Sequence, residues 1–104
     1  TIRAGLAAFS KSASLTLAET GVTINTVCPG GVATDRLLDL VKVQADSRGE
    51  TLDTVLKESQ NSIPMKRFAD PSELADLVVF LSSDKARYIT GRVHVIDGGL
   101  TKSY

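Results

Sequence analysis

The run Val22-Thr-Ile-Asn-Thr-Val-Cys-Pro-Gly-Gly-Val-Ala-Thr34 is an alternating segment that meets a Pro-Gly-Gly break and closes on a hydroxyl. Val22, Ile24 and Thr26 alternate with Thr23, Asn25 and Val27, the pattern of a strand of about six residues. In an open α/β sheet, ligands dock at the small-residue loop after a strand's carboxyl end, because backbone approaches them there with no side chain in the way. The turn from Pro29 to Thr34 is therefore the first candidate site.

The remaining elements follow from spacing. Ile2, Leu6, Phe9, Ala13 and Leu17 form one apolar stripe, and Ala4, Ala7, Ala8, Leu15 and Ala18 keep other faces small or apolar, which predicts a helix buried on two sides and ended by Gly21. From Asp35 to about Ser62 the pattern is amphipathic but broken at Gly49, with Leu37, Leu38 and Val41 on one face and Leu52, Val55 and Leu56 on another. Two short helices forming a mobile cover are expected there. Asp70-Pro71-Ser72-Glu73 predicts a helix start, with Asp70 as cap, Pro71 at the first helical position and Glu73 reaching back. Leu74, Leu77, Val78 and Leu81 carry that helix to about Ser82. A second strand is expected within Gly91 to Gly99, where Val93 and Val95 alternate with Arg92 and His94.

Two strands joined through helices are parallel, and a two-stranded parallel sheet is not a plausible independent structure. The chain also opens inside a helical pattern without a start methionine or cap. Both features suggest the C-terminal part of a longer doubly wound α/β protein; an independent small α/β binding module is the alternative. Twelve basic and twelve acidic residues balance to zero, which argues against nucleic acid and anionic membrane as partners. Cys28 is the only cysteine and His94 the only histidine, so neither an internal disulfide nor a cluster of soft metal ligands is expected, and no metal is assigned. No long apolar run and no secretory pattern occurs, so a soluble, cytoplasmic protein is expected.

Further phrases recur in a specific order: Phe9-Ser-Lys-Ser12, Gly21-Val-Thr-Ile-Asn25, Pro29-Gly30 with Thr34, Arg67, Pro71-Ser-Glu73, Phe80-Leu-Ser-Ser83, Tyr88-Ile-Thr-Gly91 and Val95-Ile-Asp-Gly-Gly99. Over nearly the entire chain this resembles the short-chain dehydrogenase/reductase family, with wording most similar to its 3-oxoacyl-[acyl-carrier-protein] reductase type. The resemblance implies residues 1–104 as the C-terminal segment of one Rossmann-type domain whose N-terminal cofactor-binding half is absent, with 35–62 as substrate lid. It implies hydride transfer between NAD or NADP and a small-molecule carbonyl or secondary alcohol, such as a 3-oxoacyl thioester, by a homo-oligomer, a dimer or tetramer. Pro29, Gly30, Gly31, Val32 and Thr34 would form the nicotinamide side of the cofactor site, with backbone near Val32 reading the carboxamide and the Thr34 hydroxyl bonding the cofactor. The segment alone is expected to be inactive.

The resemblance carries one departure. In the family a tyrosine supplies the proton that accompanies hydride transfer, and a lysine four residues later lowers its pKa and holds the nicotinamide ribose. The lysine position falls on Arg3, and the tyrosine position lies two residues before Thr1. Arginine stays cationic, so Arg3 could hold ribose hydroxyls and favour a phenolate, but it cannot release a proton. Arg3 is the catalytic candidate; equally open is a helix-surface arginine in a catalytically inactive homologue with a binding or assembly role. Taking Lys11 as the lysine would put Ala7 at the tyrosine position and break every downstream match, and that register is rejected. Elsewhere, Asn25 is read as an amide tying neighbouring backbone, Cys28 as a buried small apolar residue, and His94 as facing solvent or a subunit contact. Tyr88 and Tyr104 are conceivable proton donors, but Tyr88 is expected to pack under the final strand. The charges of residues 42 to 58 read as a solvated helix face.

Overall fold

The computed structural model describes residues 2–102, with side chains from residue 4 on. Its elements are α1 (Ile2–Leu17), β1 (Thr26–Pro29), α2 (Asp35–Arg48), α3 (Leu52–Asn61), α4 (Pro71–Leu81) and β2 (Val93–Ile96), with short 3-10 turns at Ala18–Thr20 and Asp84–Ala86. β1 and β2 form a two-stranded sheet. The Thr26 N–H donates to the Arg92 carbonyl and the Gly30 N–H to the Ile96 carbonyl, both at 2.9 Å. Donor and acceptor advance together, so the pair is parallel and the fold class is α/β.

β2 falls within the expected Gly91–Gly99 range, whereas β1 has four residues against about six expected, and starts later than the alternation does. Residues 22–25 are irregular, yet they are not loose: the Ile24 N–H donates to Thr90 Oγ1 at 3.0 Å, and the Ile24 carbonyl accepts from the Gly91 N–H at 2.7 Å. One side-chain bond and one backbone bond take the place of a regular ladder there. Gly21, at φ 81°, ends the 3-10 turn after α1 in the left-handed conformation a glycine adopts cheaply.

The chain divides into two compact units, Thr1–Cys28 with Ala75–Val95 and Pro29–Leu74 with Ile96–Tyr104. In the first, α1 does not meet the expectation of burial on two sides. Ser14 is its one buried residue among those described, while Leu6 and Leu15 are exposed and Phe9 is 71% exposed. The sequence pattern marks faces that can be buried, but burial requires an opposing surface. Asn25 plays the predicted role, its Nδ2 donating to the Ile89 carbonyl at 3.0 Å.

The second unit holds the clearest core. Thr34 and Thr51 cap α2 and α3, each accepting from the N–H three residues on. Gly49, at φ 66°, ends α2 where the pattern is interrupted. Val41 and Ala45 of α2 and Val55 of α3 are buried together, with Leu56 beside them. Leu37 is half-buried and Leu38 exposed, so only Val41 of the predicted face enters this core. The charges around it are solvated as expected; an exposed Arg48–Glu58 pair at 3.2 Å adds little.

α4 starts as predicted. The Asp70 side chain accepts from the Ser72 N–H, and Glu73 Oε1 accepts from the Asp70 N–H, both at 2.9 Å. Glu73 also receives Arg67 through two bonds of 2.6 and 3.0 Å, a planar fork meeting a carboxylate. Those bonds from Arg67, then that from the Asp70 N–H, lower the Glu73 pKa to about 2. No helix among the described residues is long and apolar enough to cross a membrane.

Candidate functional site

The Pro29–Thr34 turn belongs to the second unit, and its shape follows from backbone bonding. Pro29 ends β1 with a residue that cannot donate to a ladder, and the Gly30 N–H is taken by Ile96. Val32 then forms an isolated parallel bridge with Ala69: the Gly31 carbonyl accepts from the Ala69 N–H at 2.9 Å, and the Ala33 N–H donates to the Ala69 carbonyl at 2.8 Å. In such a bridge the flanking residues make the bonds, and the bridged residue turns its own N–H and carbonyl the other way. The Val32 carbonyl accepts from the Thr34 N–H at 2.7 Å; among the described residues the Val32 N–H donates to none.

Thr34 has two uses. Its Oγ1 accepts from the Leu37 N–H at 3.2 Å, capping α2, which leaves its hydroxyl proton available for an outside acceptor. The turn is thus a short length of backbone flanked by an N–H donor and a hydroxyl donor, at the carboxyl end of a parallel strand.

Neither glycine of the turn has room for a side chain. A Cβ on Gly30 would lie 2.8 Å from the Asp97 Cβ, and one on Gly31 would lie 2.8 Å from the Phe68 ring, with Ile63 Cδ1 at 3.6 Å. Asp97 in turn organises the segment after β2, accepting from the Gly99 N–H at 3.0 Å and the Thr101 N–H at 2.8 Å. Hydrogen bonds from the Thr101 side chain, then from its N–H and those of Gly99 and Leu100, hold the Asp97 carboxyl below its usual range. Asp97, Phe68 and Ile63 were not singled out by the sequence reading. The repeated Gly-Gly after each strand was the available signal, but which residues face it depends on pairing distant in sequence.

The other site candidates fall as follows. Arg3 lies in α1, but its side chain is outside the described residues, as is Tyr104. Cys28 is half-buried. His94, expected to face solvent or a subunit contact, is half-buried, with Nε2 3.2 Å from Asn25 Oδ1. The Asn25 Nδ2 is committed to Ile89, which turns Oδ1 toward the imidazole and makes it an acceptor. Tyr88 does not pack under the final strand; it is 99% exposed, because the turn after Ala86 directs it outward while Ala86 itself is buried. The first unit has an open groove of about 260 Å³ lined by Thr23, Asn25, Val27, Val78, Leu81 and Ser82, none of them a predicted site residue. Among the described residues no cluster of three His, Cys, Asp or Glu could hold a metal.

Comparison with known proteins supplies the wider context. Residues 1–101 match the family model described as Enoyl-(Acyl carrier protein) reductase. The chain is 38% identical over 99 residues to the oxidoreductase UcpA of Escherichia coli K12, covering 95% of this chain and 36% of UcpA. It is 40% identical over 98 residues to the 3-oxoacyl-[acyl-carrier-protein] reductase FabG of Vibrio harveyi, covering 94% and 36%. A short chain dehydrogenase family protein from Francisella tularensis superposes with a TM-score of 0.90 at 40% identity, over 96% of this chain and 41% of that one. The L-sorbose reductase from Gluconobacter frateurii, solved with NADPH and L-sorbose, gives 0.88 at 31% identity, over 97% and 39%. The chain therefore spans 36% of the length of these two relatives.

Proposed function

The chain belongs to the short-chain dehydrogenase/reductase family, and on that footing we propose that it forms part of a cytoplasmic NAD- or NADP-dependent oxidoreductase acting on a small-molecule carbonyl or secondary alcohol. When bound, the nicotinamide ring supplies or accepts the hydride. The observation that carries this reading is the Pro29–Thr34 turn, where the Val32 N–H turns away from its own bridge and the Thr34 hydroxyl keeps a proton to donate. An N–H donor suits an amide carbonyl, so Val32 fits a nicotinamide carboxamide, while Gly30 and Gly31 let the turn that carries it pack against Asp97 and Phe68. Thr34 would donate its hydroxyl proton to the cofactor while continuing to cap α2. α2 and α3 would cover the substrate and exclude water, and Leu38, exposed on α2, would present an apolar contact.

Arg3 would hold the ribose hydroxyls and, by its charge, lower the pKa of a nearby phenol. The name of the FabG relative and the phrases it shares favour a 3-oxoacyl thioester as substrate. The L-sorbose reductase neighbour was solved with NADPH, which supports a nicotinamide dinucleotide as the cofactor. We place residues 1–104 as the C-terminal segment of a longer Rossmann-type domain that assembles as a dimer or tetramer, and the segment alone should not turn over. A second reading, a catalytically inactive homologue with a binding or assembly role, is favoured by Arg3 standing at the lysine position.

The test is an assay of the complete protein for absorbance change of NADPH and NADH with a carbonyl panel that includes short 3-oxo thioesters. Turnover that falls at least tenfold in Gly30→Ala supports the oxidoreductase reading. Cofactor binding without turnover on any member of the panel would establish the inactive homologue instead.

A further inference from the structure

Ile63 is 5% exposed and follows α3 by two positions, in the second unit together with both glycine turns. Its two branches serve different neighbours. Cδ1 lies 3.6 Å from where a Cβ on Gly31 would stand, and Cγ2 lies 2.8 Å from where one on Gly98 would stand. One side chain thus fills space that two glycines, 67 positions apart in sequence, both leave open. The segment around it is fixed by backbone bonds: the Met65 N–H donates to the Gly98 carbonyl at 3.1 Å, and the Lys66 N–H donates to the Ile63 carbonyl at 2.8 Å. Lys66 is at φ 62°, a conformation that a residue other than glycine adopts at some cost, so the surrounding contacts hold this turn in place.

A β-branched side chain held in this way has little rotamer freedom and transmits position instead of absorbing it. Phe68 stands at the same position, its Cδ1 2.8 Å from where a Cβ on Gly31 would lie. The Phe68 ring and the Ile63 δ-methyl therefore both fill the side of Gly31 on which a Cβ would project, and its neighbour Val32 carries the outward N–H. We infer that Ile63 is a positioning residue: its δ-methyl sets the conformation of the Gly30–Val32 turn and thereby aims the Val32 N–H at the nicotinamide carboxamide. This rests on the proposed function of the turn.

Ile63→Val separates the two contacts, because it removes Cδ1 and keeps the γ branches that face Gly98. The measurement is equilibrium binding by the complete protein of NADPH and of ADP-ribose, which lacks the nicotinamide. Ile63→Val is expected to weaken NADPH by about three- to fivefold, the effect of one lost methyl contact, and to leave ADP-ribose unchanged. Gly31→Ala, which presses directly on Phe68, is the companion variant and should shift the same ratio further. A shifted ratio in Gly31→Ala with none in Ile63→Val overturns the positioning role and spares the site. Equal weakening of both ligands in Ile63→Val also overturns it, since a merely structural defect acts in that way. An unchanged ratio in both variants removes the nicotinamide from this turn, and the inference with it.

Discussion

The α2–α3 pair and α4 bury their side chains in the reverse order of their hydropathy. α4 reads Pro-Ser-Glu-Leu-Ala-Asp-Leu-Val-Val-Phe-Leu and contains no buried residue; Val79 is 68% exposed. The more polar α2 and α3 bury Val41, Ala45 and Val55, the last of them 1% exposed. Apolar content states what a helix can gain from burial; the gain is realised only where another surface stands opposite. α2 and α3 supply that surface to each other across one short connection, whereas a stripe as wide as that of α4 is built to cover a sheet.

That contrast can be broken most directly at its core. Val55→Asp in the complete protein places an unpaired carboxylate between α2 and α3 and should cost about 4 kcal/mol, read by urea unfolding. A loss under about 1 kcal/mol would mean that the helix pair is not a packed unit. Next, Val79→Ser asks whether the α4 face is covered in the complete protein. With cover it costs about 2 kcal/mol, and on a solvated face it stays within about 0.5 kcal/mol, which would turn a difference of opportunity into a permanent one.

Thr34→Ala should destabilise by about 1 kcal/mol through the lost α2 cap, with Thr34→Ser restoring most of it. If Thr34 also meets the cofactor, the alanine variant weakens NADPH more than ADP-ribose. The smallest effect is electrostatic. Glu73 has its pKa lowered from 4.5 to about 2 in the folded chain, so its contribution to stability is complete above 4.5 and is lost as pH falls through about 2. Glu73→Gln should flatten the acid limb of an unfolding-against-pH curve in that window. An unchanged limb would mean that the exposed Arg67–Glu73 fork is not maintained in solution.

Local rules made much of this legible. The α4 start could be read from four residues because its cap, its proline and its returning acid all act within one turn. Gly49 likewise marked the α2–α3 break through its own backbone preference. What escaped the sequence was decided by contacts distant along the chain. β1 starts four residues into the alternating run, where Ile24 bonds the Thr90 hydroxyl, and His94 is half-buried beside the Asn25 acceptor. The Pro29–Thr34 turn was marked by its composition, but the residues that shape it, Asp97, Phe68 and Ile63, come from three other segments. Tyr88 was expected under the final strand because of the Tyr-Ile-Thr-Gly phrase it opens, and after the 3-10 turn Asp84–Ala86 it stands exposed instead.

The constant offset between β1 and β2 has a consequence for how this architecture can vary. Thr26 meets Arg92 and Gly30 meets Ile96, so the strands themselves fix which residues are neighbours, and the path between them carries no information about register. Gly49 and Glu50, exposed between α2 and α3, are then a place where length can change without moving Gly30 off Asp97. A lineage could enlarge or shrink the space beneath the two helices, and so retune what fits there, while the machinery at the strand ends stayed in step.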